Sequence, residues 1–272
     1  MSSPLAPARP ARLSLALRDS ATMLRRNLLH VRRYPSLTLN LLLSPIVLLL
    51  LFVYIFGDTM SAGIGGGGGG RSEYLAYLFP GILMLTIGGT TIGSAVSVSM
   101  DMNEGIIARF RTMAIHRGSV LVGHVVGSVI QCAMSVALVG AVAVAIGFRS
   151  TDATALEWVL AFALVALMSL ALTWIAVGMG LSSPNAEAAS NNAMPLMILP
   201  LLSSAFVPVD AMPGWFRPIA EYQPFTPAIE TLRGLLLGTG IGHNGWLAVG
   251  WCLGLTALGY LWSKSLFDRD PK

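Results

Sequence analysis

Asp101 and Glu104 stand three residues apart, a spacing that sets two carboxylates on one face of a helix, where a pair can exchange protons. The sequence supplies no partner or pocket for such a pair. The four histidines (His30, His116, His124 and His243) are too scattered to suggest a metal site. No Walker motif, HExxH pair or nucleophile elbow is present. The glycine run at 65–70 ends in Arg71, without the Lys and Ser/Thr of a phosphate-binding loop, and reads as a flexible connection. Asp101 and Glu104 therefore read as a helix cap or an interface, and no catalytic residue is assigned.

The elements around these residues are set by hydropathy. Hydrophobic residues make up 54% of the 272, charged residues 11%, and the mean hydropathy is +0.71. A soluble domain carries about 25% charged residues, so the composition indicates an integral membrane protein. Cys132 and Cys252 both fall inside apolar segments and read as small packing residues, not a disulfide framework or a zinc site. The first apolar run starts near residue 37, after a long Arg-rich lead, and reads as an uncleaved span.

Six spans are expected, at 37–57, 77–100, 119–148, 157–181, 192–209 and 245–263. The first has 21 residues, about 31 Å as a helix against a hydrocarbon core of roughly 30 Å. The fifth holds Pro195, Pro200 and Pro208, each lacking a backbone donor, and should be kinked and packed against protein. With the N-terminus in the cytoplasm, thirteen of the 17 Lys and Arg lie inside and four outside, as the positive-inside rule requires. Both termini are then cytoplasmic. The division is a cytoplasmic tail at 1–36, a transmembrane domain at 37–263 and a cytoplasmic tail at 264–272.

Residues 12–34 place Leu17, Ala21, Leu24, Leu28 and Val31 on one stripe with arginines flanking it, an amphipathic helix suited to the inner headgroup boundary. All 13 acidic residues fall in loops, tails or span ends. His124 is the ionisable side chain left at membrane depth, and it reads as hydrogen-bonded to a neighbouring helix; an ion-coupled carrier is weakly supported. Thr86, Thr90, Ser94 and Ser97 recur on one face of the second span beside Gly89 and Gly93. Close helix packing is the preferred reading, a substrate cavity wall the alternative. Gly123/Gly127 and Gly250/Gly254 match a weak GxxxG pattern. Between the second and third spans, Ile106, Phe110 and Met113 line one face of a short amphipathic segment, with Arg109 and Arg111 on others. Such a helix lies in headgroups or docks into a groove of another protein.

The stretch DMNEGIIARFRTMAIHRGSVLVG, residues 101–123, resembles the first inner loop of type 2 ABC exporter permeases of the daunorubicin/doxorubicin-resistance family. SSAFVPVDAMPGWFRPIAEYQPFTPAIETLRGLLLG, residues 203–238, resembles the segment before their last span. The family often reads D-R-F-R-S-[LM]-P, and here Ala108 and Ala114 replace the Asp and the Pro; without that proline the helix should run on toward Ile115. The resemblance implies an all-α permease with an N-terminal amphipathic surface helix, six spans, a coupling helix and an outer or re-entrant helix before the last span. It implies a homodimer in the cell membrane, each copy resting on a separate ABC ATPase that holds the ATP and Mg2+, while this chain binds no cofactor or nucleic acid.

On the same resemblance, Glu104, Gly105, Ile106, Arg109, Phe110, Arg111 and Met113 contact the ATPase. Thr86, Thr90, Ser94, Ser97, Ser203 and Ser204 are candidates for the pathway of a hydrophobic small molecule. Pro208, Pro213, Trp215 and Phe216 would form an outer gate, with a simple interfacial anchor as the alternative. Thr226 as N-cap, Pro227 in the first turn and Gly238 at the end predict a helix at 226–237. Export of a drug, antibiotic or lipid is the leading expectation; a glycan or envelope-lipid exporter and an ATP-independent carrier are the alternatives.

Overall fold

The computed structural model describes residues 35–57, 59, 70–103, 117–149 and 152–268. Their regular structure is helical: α1 (Pro35–Leu51, continued by a π-helical turn Phe52–Phe56), α2 (Gly70–Asn103), α3 (Arg117–Ala145) and α4 (Ala155–Ser182). Next come α5 (Ala186–Ile198, continued by a 3-10 turn Leu199–Leu202), α6 (Arg217–Tyr222), α7 (Phe225–Leu237) and α8 (Asn244–Asp268). The predicted surface helix at 12–34 and the segment 104–116 lie outside the described residues, as does most of the glycine run.

Among the described residues four helices, α2, α3, α4 and α8, are long and apolar enough to cross a membrane. They match the second, third, fourth and sixth expected spans. The leading segment is an apolar helix over Leu43–Phe56. The fifth expected span differs in form: α5 starts earlier, at Ala186, and its α-helix ends at Ile198, six residues after Asn192, where the expected span begins. Pro195 lies within it, and after Pro200 the chain leaves helical geometry at Ser203. The missing donors remove the ladder that would carry the helix on to 209.

Local chemistry sets the other ends. Thr154 and Glu157 form a capping box at the start of α4, and Asn185 Oδ1 accepts from the Ala188 N–H at 2.8 Å to start α5. Gly238 closes α7 in the left-handed conformation, φ 67°. A Cβ there would lie 2.7 Å from the backbone of Asp152, so geometry and space both require glycine.

α2 is the central helix, packed on α3, α4 and α5, and α8 packs chiefly on α4. Where α2 crosses α5 the backbones meet: a Cβ on Gly88 would stand 2.4 Å from the Leu196 carbonyl oxygen. Gly89, next in sequence, has open space. Gly88→Ala should therefore cost roughly 1–3 kcal/mol by forcing the helices apart, and Gly89→Ala should be neutral or slightly stabilising. Thermal unfolding of the detergent-purified pair of variants checks this; equal midpoints would contradict the crossing. A Cβ on Gly250 or Gly254 would meet nothing among the described residues.

The main core runs through α2, α3, α4, α5, α7 and α8, and includes the fully buried Tyr74, Phe225, Met168 and Leu232. A second cluster, Val98, Leu121, Val125, Trp174, Val177 and Phe267, gathers the opposite ends of α2, α3, α4 and α8. The end bearing the starts of α2, α4 and α8, which the expected topology turns outward, is termed the outer end, and the end with the second cluster the inner end.

Candidate functional site

At the outer end α7 is sunk into the bundle, with Phe225, Thr226, Ile229, Leu232, Arg233 and Leu236 buried. Its lead-in is fixed by Thr226, whose hydroxyl donates to the Ala220 carbonyl and accepts from the Ser204 N–H at 3.3 Å. The helix begins at Phe225 after Pro224, so Thr226 is a cross-link inside the first turn and not the expected N-cap; the expected end at Gly238 is observed.

Arg233 joins three elements. Its guanidinium donates to the Tyr77 carbonyl from Nε at 3.2 Å and from Nη2 at 3.0 Å, and to the Ser204 carbonyl at 3.0 Å. Nη1 meets Glu230 Oε1 at 2.6 Å, and the cation stands 3.8 Å from the centre of the Tyr77 ring. The Tyr77 hydroxyl donates to the same Ser204 carbonyl at 3.0 Å. A planar fork with five N–H donors can hold such a set at once, whereas an ammonium cannot span it. The result ties α7 to α2 and to the turn after α5.

Two clefts flank α7. One, about 500 Å³, is apolar and bounded by Phe79, Phe148, Trp158, Phe162, Leu232 and Leu236. The other, about 450 Å³, is polar, with Asp210, Arg217, Glu221, Glu230, Arg233 and His243 among its lining. α7 divides them, apolar at Leu232 and Leu236, polar at Thr226, Glu230 and Arg233. Both volumes fall in the range of small-molecule sites, roughly 300–1,000 Å³. Arg217 pairs with Asp210 at the rim of the polar cleft, half-exposed, where such a pair contributes little to stability.

The expected pathway residues divide into two places. Thr86, Thr90 and Ser94 are buried in α2, and their hydroxyls donate to the carbonyls of Ile82, Ile87 and Thr90 in the same helix. Ser97 is half-buried further along α2. Ser203 and Ser204 lie instead at the outer end; Ser203 donates to the Pro200 carbonyl, and the buried Ser204 hydroxyl has no partner among the described residues. Of the expected gate, Pro208 lines the polar cleft, Pro213 is exposed, and the exposed Trp215 packs edge-on against Phe216 with ring centres 5.5 Å apart. Glu104, Gly105, Ile106, Arg109, Phe110, Arg111 and Met113 lie outside the described residues.

At the inner end, His124 Nε2 on α3 meets Asp101 Oδ2 on α2 at 2.9 Å, both side chains nearly buried. The histidine does bond a neighbouring helix, as its position suggested. Cys132 and Cys252 are buried and free.

The residues that sequence reasoning missed are Tyr77, Glu230 and Arg233. One signal was available: Glu230 and Arg233 stand at i, i+3 in an otherwise apolar helix, where an ion pair needs a reason.

Comparison with known proteins places these features in context. The family model for the ABC-2 type transporter matches residues 19–237. A daunorubicin resistance ABC transporter permease protein of Streptomyces coeruleorubidus is 28% identical over 233 residues, covering 85% of this chain and 79% of that one. A doxorubicin resistance ABC transporter permease protein of Mycobacterium tuberculosis is 22% identical over 166 residues, 59% of each chain. Nodulation protein J of Rhizobium meliloti is 28% identical over 207 residues, 71% of this chain and 73% of its own.

Proposed function

The chain belongs to the ABC-2 type transporter family, and from that premise we propose that it exports an amphiphilic small molecule, driven by a separate ATPase chain. It is a multi-pass membrane protein, and its relatives are permease subunits of ABC transporters. In the proposed arrangement α1 and the α5 segment join the four long helices to make six crossings within 37–263, with the tails at 1–36 and 264–272 cytoplasmic. Two copies pair around the pathway. Glu104, Gly105, Ile106, Arg109, Phe110, Arg111 and Met113 seat on the ATPase, which holds ATP and Mg2+, and the helix at 12–34 contacts the same partner. Thr86, Thr90, Ser94, Ser97, Ser203 and Ser204 belong to the pathway, and Pro208, Pro213, Trp215 and Phe216 to its outer gate.

One observation carries the substrate class. α7 separates an apolar cleft from a polar one over the width of a single helix. A molecule with a greasy body and a polar head finds both environments there, and a small movement of α7 would join them. The drug-resistance relatives support an amphiphilic drug as the cargo.

The test uses inside-out vesicles containing the chain and its ATPase, with doxorubicin fluorescence as the readout. Uptake that requires both ATP and the ATPase is expected. Uptake of equal rate without ATP would replace this reading with a carrier; no uptake of doxorubicin, with ATP-driven flipping of a labelled lipid, would move the cargo to an envelope lipid.

A further inference from the structure

We infer that the Asp101–His124 pair is a positioning clamp that makes α2 a lever between the inner loop and the outer clefts; this rests on the coupling role proposed above for residues 104–113. The two partners sit on the two helices that the segment 104–116 connects, Asp101 two residues before the end of α2 at Asn103 and His124 on α3. Their side chains are 12% and 7% exposed, with Nε2 to Oδ2 at 2.9 Å.

The surroundings make the contact consequential. Val98 on α2 and Leu121 and Val125 on α3 belong to the inner apolar cluster, with Trp174, Val177 and Phe267 from α4 and α8. Apolar contacts are non-directional and allow helices to slip past one another. A hydrogen-bonded ionisable pair among them is directional and costly to break, because either partner alone is left buried without its counterpart. It fixes the register of α2 against α3 at the point where a push on the connecting segment arrives.

The other end of α2 carries Tyr77, whose carbonyl and ring hold Arg233 of α7. Asp101 and Tyr77 are 24 residues apart on one helix, about 36 Å at 1.5 Å per residue. One continuous helix thus has a polar tie at each end, one beside the inner loop and one on the wall between the clefts. Movement of the inner end relative to α3 would be passed to α7 instead of being absorbed by sliding.

The experiment reads outer-cleft movement without needing the cargo. Val209 lines the polar cleft and is half-buried, and the two native cysteines are buried. Val209→Cys in the complex with the ATPase, held in nanodiscs, is labelled by a membrane-impermeant maleimide with and without ATP and vanadate. In the otherwise native chain the labelling rate should change by about fivefold or more on trapping. Asp101→Leu/His124→Leu replaces the pair with side chains that suit the apolar cluster, so the complex should assemble and hydrolyse ATP while the labelling change falls to about the error of the measurement. Asp101→His/His124→Asp should restore most of the response.

A full response in the leucine variant would show the pair to be a packing feature and overturn the inference. So would an assembled swap variant that does not respond, or failure of both variants to assemble. Absence of any response in the native pair would instead remove the coupling reading, and this inference with it.

Discussion

Replacing Arg233 with methionine should lower the thermal midpoint of the purified protein by on the order of 10 °C and abolish ATP-dependent transport. Methionine keeps much of the length and the apolar stem, so the cavity left is small. What goes is the donor set: the carbonyls of Tyr77 and Ser204 and the carboxylate of Glu230 all lose their cation. Breaking a buried pair by removing one partner costs about 3–5 kcal/mol. Arg233 is 11% exposed at its side chain and Glu230 33%, so the lower end of that range applies.

Arg233→Lys should rescue less than half of the loss, because one ammonium cannot bridge Tyr77, Ser204 and Glu230 together. Glu230→Gln should be milder than Arg233→Met, since the guanidinium keeps its carbonyl acceptors. A melting series of the three variants decides it. Equal midpoints for Arg233→Met and the native chain would mean that the network contributes nothing to holding α7.

Phe110→Asp should leave insertion and folding of the spans intact while lowering affinity for the ATPase by on the order of 100-fold. In the sequence Phe110 follows Ile106 by four residues and precedes Met113 by three, the spacing of one apolar face in the proposed coupling segment. A buried aromatic anchor at an interface is worth about 2–4 kcal/mol when truncated, and a carboxylate in its place adds a desolvation cost. Ala108→Asp, which restores the residue the family often carries, should be tolerated and serves as the charge control. Titrating the ATPase against each variant in nanodiscs gives the result directly; unchanged affinity for Phe110→Asp would remove Phe110 from the interface.

The long helices were legible because lipid imposes a length and a composition on any span. Expected segments at 77–100, 157–181 and 245–263 fall inside Gly70–Asn103, Ala155–Ser182 and Asn244–Asp268. Gly238 was legible for a local reason, its left-handed backbone at a helix end. The fifth segment was legible only in part. Its prolines announced irregularity, but where the chain stops being helical depends on how α5 lies against Gly88 of α2 and how Ala205, beyond it, lies against Gly81, both tertiary contacts.

Side-chain partners were the least legible. Asp101 stands at helical spacing from Glu104, which lies outside the described residues, while its contact with His124 is to another helix, where spacing in the sequence gives no sign of it. Arg233 bonds backbone carbonyls 156 and 29 residues away, and carbonyls carry no signature in a sequence. The hydroxyl stripe of α2 shows the opposite case: Thr86, Thr90 and Ser94 were visible as a pattern, and the hydrogen bonds that satisfy them lie within the same helix.

In the proposed transporter a separate ATPase does the work and this chain carries the pathway. The most direct test of this is purification of the chain in mild detergent from cells that also express the neighbouring genes, followed by mass spectrometry of what accompanies it. An ABC ATPase in equal amount, lost in Phe110→Asp, is the predicted result. A chain that purifies without any ATPase and moves doxorubicin across vesicles without ATP would contradict the account.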